Sequence, residues 1–194
     1  MKYIYHILIF LSTFVTSLAI SAGETQVSLG LGVSDFHFNH SEASYLDDKG
    51  AGGQLQLTHY PYSHDALNGE LLLGVGFGYI SYGQYDAEIT TQESPEAVAD
   101  RYSVPGEGPL IFLSSKYQTE VWFSQLNIGL MAWSNIIKIN NTAINKSGTS
   151  VVYDVEVGYR ASEDVSLSIG LNTTSDHSNR ATSFLWKIAY SFPN

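Results

Sequence analysis

From Thr25 onward the large apolar residues of this chain recur at every second position, a pattern that restricts the fold more than any other feature of the sequence. A side-chain repeat of two belongs to an extended strand, whereas a helix repeats every 3.6 residues. Val27, Leu29, Leu31 and Val33 share one face, and Gln26, Ser28, Gly30, Gly32 and Ser34 the other. Leu71, Leu73, Val75, Phe77 and Tyr79 oppose Glu70, Gly74, Gly76 and Gly78, with Leu72 the one blemish. Val151, Tyr153, Val155, Val157 and Tyr159 oppose Asp154, Glu156, Gly158 and Arg160, while Val165, Leu167, Ile169 and Leu171 oppose Ser166, Ser168, Gly170 and Asn172. Phe184, Trp186, Ile188, Tyr190 and Phe192 oppose Ser183, Lys187, Ala189 and Ser191. Shorter alternations mark Gln54 to Thr58 and Gln125 to Leu130, and a further strand is placed around Leu110 to Ser115.

Which face is dry follows from the chemistry of the two faces. A soluble sheet points its apolar face at a core and covers the other with solvating charge. Here the large apolar residues are opposed by Gly, Ser, Gln and Asn, small or uncharged groups that suit a narrow barrel interior shared by side chains from every strand. The aliphatic and aromatic set then faces lipid. Tyr79, Tyr153, Tyr159, Trp122, Trp133, Trp186 and Tyr190 stand near strand ends, where aromatic girdles meet the two membrane interfaces.

Connection lengths give a second, independent signal. Phe36 to Ala51, Gly83 to Gly108 and Ser134 to Thr149 read as long, and Pro61 to Asn68, Ser115 to Thr119 and Ala161 to Asp164 as short, with Asp176 to Arg180 a brief final connection. Long outer loops alternating with short periplasmic turns is the outer-membrane barrel arrangement, and eight strands use up the chain. An eight-stranded interior is filled by side chains and leaves no wide channel.

The N-terminus fits export. Lys2 precedes an apolar run from Ile7 to Ile20 that closes on Ala19-Ile20-Ser21-Ala22, so residues 1 to 21 read as a cleaved signal peptide and 22 to 194 as one barrel domain. The run falls short of the roughly 20 apolar residues of a spanning helix, and no second such stretch follows. With 9 Lys and Arg against 19 Asp and Glu the chain cannot neutralise a row of phosphates, which excludes general nucleic-acid binding. Its 25 aromatic residues (13 Tyr, 9 Phe, 3 Trp) exclude disorder. The absence of cysteine removes disulfides, zinc thiolates and thiol nucleophiles. No cofactor is called for.

The signal peptide, the Gly-rich run Leu73-Gly74-Val75-Gly76-Phe77-Gly78-Tyr79 and the closing Trp186-Lys187-Ile188-Ala189-Tyr190-Ser191-Phe192 resemble the small Gram-negative outer-membrane β-barrel proteins of OmpA, OmpX and opacity type. The closing strand is similar to the C-terminal signal read by the barrel-assembly machinery, although Pro193 and Asn194 follow the aromatic where such proteins usually stop. The resemblance implies an all-β, eight-stranded antiparallel up-and-down transmembrane barrel in the cell outer membrane. It also implies a monomer in contact with lipid and lipopolysaccharide, with a non-enzymatic role in surface structure, adhesion or envelope maintenance.

Candidate site residues fall in two groups. Glu70, Asp154, Glu156, Arg160 and Lys187 lie on the predicted interior face, where Arg160 and Lys187 are expected to pair with the three acids as a structural plug or a gate. His177 and Ser178, beside Asp176 and Asn179, offer the only hydrolytic reading, similar to outer-membrane lipid A deacylases. Two departures weigh against it: those enzymes space His and Ser by one residue, and no Glu follows here in the closing strand. An ordinary polar turn is the simpler reading. His37 and His40 lack a defined third ligand for a metal, and His59 and His64 are scattered. The acids Asp86, Glu88, Glu93, Glu96, Asp100 and Glu107 face Arg101 alone in the second loop and read as a solvated segment able to meet lipopolysaccharide phosphates through divalent cations. A soluble, secreted lipocalin-like binding barrel is the alternative in which every strand is turned inside out.

Overall fold

Strands form wherever the alternation runs, and in several places they run further. The computed structural model describes residues 23–38, 49–83, 86–87, 94–140, 142–177 and 179–192. The expected signal peptide lies outside them, as do His40, Glu88, Glu93, Ser178, Pro193 and Asn194. In chain order the elements are β1 (Glu24–His37), β2 (Lys49–Ala66), β3 (Gly69–Ser81), β4 (Asp86–Ala87), helix α1 (Pro95–Tyr102), β5 (Glu107–Gln118), β6 (Trp122–Ile139), β7 (Thr142–Arg160), β8 (Val165–Asp176) and β9 (Asn179–Phe192).

All but β4 build one wall. Each of these eight strands pairs antiparallel with its neighbours, and the pairing of β1 with β9, from Thr25 opposite Phe192 to His37 opposite Arg180, closes the ring. The result is an eight-stranded up-and-down barrel. One end carries the tight turns Leu67–Asn68, Thr119–Val121 and Ala161–Asp164, and is called the turn end below. Leu67 and Asn68 both adopt positive φ, 46° and 65°, the twist that a two-residue hairpin between antiparallel strands requires. The other, loop end carries α1. Pro95 opens this helix with φ already set, and the Ser94 hydroxyl accepts from the Ala97 N–H at 3.3 Å.

The barrel wears its apolar residues outside through the turn-end half and middle of the wall. Leu29, Leu31, Val33, Leu55, Leu73, Val75, Ile111, Leu113, Leu126, Ile128, Leu130, Val155, Leu167, Ile169 and Ile188 are all exposed, while Gln26, Gln54, Gln56, Ser114, Gln125, Asn127, Asp154, Glu156 and Lys187 are buried inside. No water-soluble protein leaves a continuous apolar belt of this extent uncovered, and a polar interior is the reverse of a lipocalin cavity. Toward the loop end the sorting inverts without a change of register. On β6 the inward series passes from Gln125, Asn127 and Gly129 to the buried Met131, Trp133, Asn135, Ile137 and Ile139, and the outward series from Leu126, Ile128 and Leu130 to Ala132, Ser134, Ile136 and Lys138, where Ile136 alone is a large apolar residue. The inward apolar residues meet Phe36, Ile80, Tyr82, Leu110, Phe112 and Val152 from the other strands and Val98, Ala99 and Tyr102 from α1 in a single core that fills the mouth.

This inversion overturns three expectations. Ser134 to Thr149 is not a long loop: β6 continues to Ile139 and β7 begins at Thr142, paired residue by residue from Ser134 opposite Ser147 to Ile139 opposite Thr142. Trp133 is no girdle residue; it points inward, and its Nε1 donates to the Ser150 hydroxyl at 2.9 Å. The acidic second loop is not wholly a solvated run, because α1 seats three of its residues in the core. Two boundaries also move. β5 spans Glu107–Gln118 rather than Leu110 to Ser115, and β2 passes Pro61 through a bulge between His59 and Tyr62 before turning at Leu67. The bulge gives the proline a place where no ladder N–H is needed.

Candidate functional site

The interior is closed at three levels. At the turn end Lys116 of β5 is buried, its Nζ 3.1 Å from Glu24 Oε1 and 5.6 and 5.3 Å from the ring centres of Tyr60 and Phe123. Gln118 donates to Glu24 at 3.4 Å and to Glu70 at 3.0 Å, Ser191 to Glu24 at 2.9 Å, and Ser63 to Glu70. A cation held by one carboxylate between two aromatic faces is desolvated yet compensated.

Half-way along the barrel Lys187 stands between Asp154 and Glu156. Its Nζ lies 2.9 and 2.8 Å from the two Asp154 oxygens and 2.6 Å from Glu156 Oε2, and the three side chains are 1%, 1% and 6% exposed. Gln54, Gln56 and Asn127 add their amide N–H groups to Asp154 Oδ2 at 3.1, 3.3 and 3.2 Å. Room for the lysine comes from Gly30 and Gly170, where a Cβ would stand 3.0 and 3.3 Å from its stem. Such a pair costs several kcal/mol per ion to desolvate, and only dense hydrogen bonding offsets that.

At the loop end the apolar core and α1 form the third level. Asn179 Nδ2 holds the chain after α1 by donating to Arg101 O at 2.7 Å and Ser103 O at 3.0 Å, and Asn135 Nδ2 donates to Val104 O at 3.1 Å. Ser103 donates to Asp176 at 2.8 Å, and Lys146 of β7 pairs with Asp100 of the helix.

Of the interior residues singled out in the sequence, the fold brings Lys187, Asp154 and Glu156 together and separates the other two. Glu70 sits in the turn-end cluster. Arg160 closes β7 and donates to Thr119 O at 3.2 Å and Glu163 O at 3.4 Å, not to Asp154, Glu156 or Glu70. Four strand residues put about 13 Å between the backbones of Arg160 and Glu156, and the turn carbonyls are nearer. Lys116 and Glu24 escape the sequence reading because the alternation is clear only from Thr25 onward in β1 and the strand around Leu110 stops at Ser115 there. His177 is 91% exposed at the tip of its turn, with φ 51° and Asp176 Oδ1 at 2.9 Å from Nδ1. Its neighbour Ser178 lies outside the described residues. His59 is buried on the outer face beside Thr25, at 3.0 Å, and His37 and His64 are exposed. Among the described residues no three His, Asp or Glu side chains converge as a metal site.

No family model matches the chain, and no characterised relative does. Solved structures do. Ail, the attachment invasion locus protein of Yersinia pestis, solved in complex with the heparin analogue sucrose octasulfate, aligns over 88% of this chain and 99% of its own with TM-score 0.55 and 13% identity. The chain has the fold of the small eight-stranded outer-membrane β-barrels. Neisserial surface protein A aligns over 87% of this chain and 97% of its own (TM-score 0.44, 9% identity), and the N-terminal barrel of Pseudomonas aeruginosa OprF over 88% and 99% (TM-score 0.45, 10% identity). For an outer-membrane-type barrel the exposed belt is the surface that lipid covers. Trp122, Tyr159, Tyr190 and Phe192 are then its turn-end girdle, with the Tyr117 and Trp122 rings 5.5 Å apart and tilted by 56°, and Tyr190 at 5.0 Å from Phe192.

Proposed function

We propose that this chain is a monomeric, non-enzymatic outer-membrane barrel with a sealed interior, whose work is done by its outer end. Residues 1 to 21 act as the export signal, the closing strand β9 engages the barrel-assembly machinery, the turn end faces the periplasm, and lipid and lipopolysaccharide surround the belt. The observation that carries the reading is the closure at three levels: Lys116 with Glu24, Lys187 with Asp154 and Glu156, and the apolar mouth under α1. A lumen filled in this way is a scaffold rather than a pore. It supports a surface structural, adhesive or envelope-maintaining role, the kind of role that the name attachment invasion locus protein gives to Ail. No observation favours the deacylase reading, because His177 faces solvent at a turn tip.

The test has two readouts. Fractionated cells are expected to hold the protein in the outer membrane, with different mobility on a detergent gel before and after boiling. Purified protein in planar bilayers is expected to pass no current. Steady single-channel conductance in the wild type would refute the sealed interior.

A further inference from the structure

The central plug is unbalanced in charge and in hydrogen bonding, and both imbalances point to the same place. Two buried carboxylates, Asp154 and Glu156, share one ammonium, Lys187. The next cation, Lys116, is engaged by Glu24. Donors are unevenly spread as well: Gln54, Gln56, Asn127 and Lys187 all give to Asp154, whereas Glu156 receives Lys187 alone among the bonds described. Gln125 stands directly opposite Glu156 in the register of β6 and β7. Its amide nitrogen is committed to Asn127 Oδ1 at 3.0 Å, and its buried Oε1 accepts nothing. Gln54, which holds Asp154 through its nitrogen, likewise leaves a buried Oε1 without a donor. An unsatisfied buried acceptor costs about 1–3 kcal/mol, and a surplus buried charge costs more.

We propose that the plug binds one further unit of positive charge between Glu156 and Gln125, carried by a proton or by a small monovalent cation such as Na+. Either carrier cancels the surplus charge and gives the Gln125 oxygen a partner. Charged and titratable groups facing Glu156 are Asp154 on its own strand, Lys187 on β9, Lys116 on β5 and Tyr60 on β2. β6 presents the neutral Gln125 and β8 the neutral Gly170.

The inference rests on the reading of the lumen as a closed plug, yet it is tested without any bilayer. The full barrel in detergent is heated and its unfolding midpoint followed by gel mobility, for wild type and Glu156→Gln, in two arms. One arm runs from about pH 5 to about pH 8 without Na+, the other varies Na+ at fixed pH and ionic strength. Glu156→Gln removes the surplus charge and supplies a donor amide of nearly the same shape. If a proton is the carrier, the wild-type midpoint falls by a few degrees, about 2–4 °C, as pH rises, because the folded state must give up a bound proton. If a cation is the carrier, it rises with Na+. In either case the variant lacks that added response. Parallel responses of wild type and variant, or a wild type unmoved in both arms, would overturn the proposal. Should the variant fail to fold, the side-chain carboxyl 13C resonance of Glu156 in the wild type decides: a protonated-carboxyl shift, or movement with pH or Na+, supports the site, and a resonance fixed at the ionised-carboxylate position in both arms overturns it. Bilayer current would instead fail the closed-plug reading.

Discussion

The two halves of strand β6 show one backbone serving two solvents. From Trp122 to Leu130 most large apolar residues face outward, and Gln125 and Asn127 line the interior above the inward Phe123; from Met131 to Ile139 the inward residues are Met131, Trp133, Ile137 and Ile139 with Asn135 among them, and Ala132, Ser134 and Lys138 face out beside one exposed apolar residue, Ile136. Pairing with β7 is continuous across the switch. In the proposed membrane placement the strand does not change; the medium outside it does. Below Met131 the outside is lipid and the inside must be filled with compensated polar groups. Above it the outside is water and the inside can be an ordinary core, which is why α1 finds an apolar seat there.

If the two halves differ in this way, the largest effect comes from breaking the polar interior. Lys187→Met strands Asp154 and Glu156 without their cation and is expected to cost about 3–5 kcal/mol, seen as loss of the fast-migrating folded band at moderate urea. Neutralising the acids as well, in Lys187→Met with Asp154→Asn and Glu156→Gln, should recover most of that loss. A single Lys187→Met variant as stable as wild type would mean that the central cluster is not a plug under strain of compensation.

Trp133→Ala tests the other half. It removes a buried ring and its bond to Ser150, a change of about 3–5 kcal/mol for a well-packed aromatic, but the loss should stay local. Protease should then cut near α1 while the heat-modifiable band persists. Simultaneous loss of that band would show that core and belt unfold as one unit.

The boundary between the halves can be mapped from outside. Ile128→Arg should destabilise by about 2–4 kcal/mol, as a cation does at mid-bilayer, and Ser134→Arg, six residues on, by about 0–1 kcal/mol. Equal penalties at the two positions would erase the distinction. The most local change expected is Asn179→Ala, which frees the Arg101 and Ser103 carbonyls. Each bond is worth about 0.5–1.5 kcal/mol net, and the readout is faster amide exchange in α1 with an unchanged barrel.

How much of this was legible in the sequence follows from the same switch. The alternation in Val27 to Val33, Val151 to Tyr159 and Phe184 to Phe192 gave each strand and its outward face, because lipid outside and amides inside leave a clean period of two. Asp154, Glu156 and Lys187 could be assigned to the interior on parity alone. Where the medium changes, parity survives but polarity reverses, so Met131-Ala132-Trp133 resembles the end of a strand and the hairpin beyond it resembles a loop. Arg160 had the right parity and the wrong depth, and depth along a barrel is set by cross-strand register, which no single strand carries. The seat of α1 is equally invisible, since Val98, Ala99 and Tyr102 join a core assembled from six different strands.

The chain contains no cysteine, so single cysteines introduced along β6 can be read one at a time with a water-soluble, membrane-impermeant thiol reagent and with lipids carrying a quencher, in protein reconstituted into vesicles. Labels at 126, 128 and 130 are expected to be quenched from the lipid phase and silent to the aqueous reagent, those at 134 and 138 to react from water and escape quenching, and those at 127 and 133 to do neither. Aqueous reaction at 126 to 130, or lipid quenching that continues through 138, would contradict a strand that passes from bilayer to water at Met131.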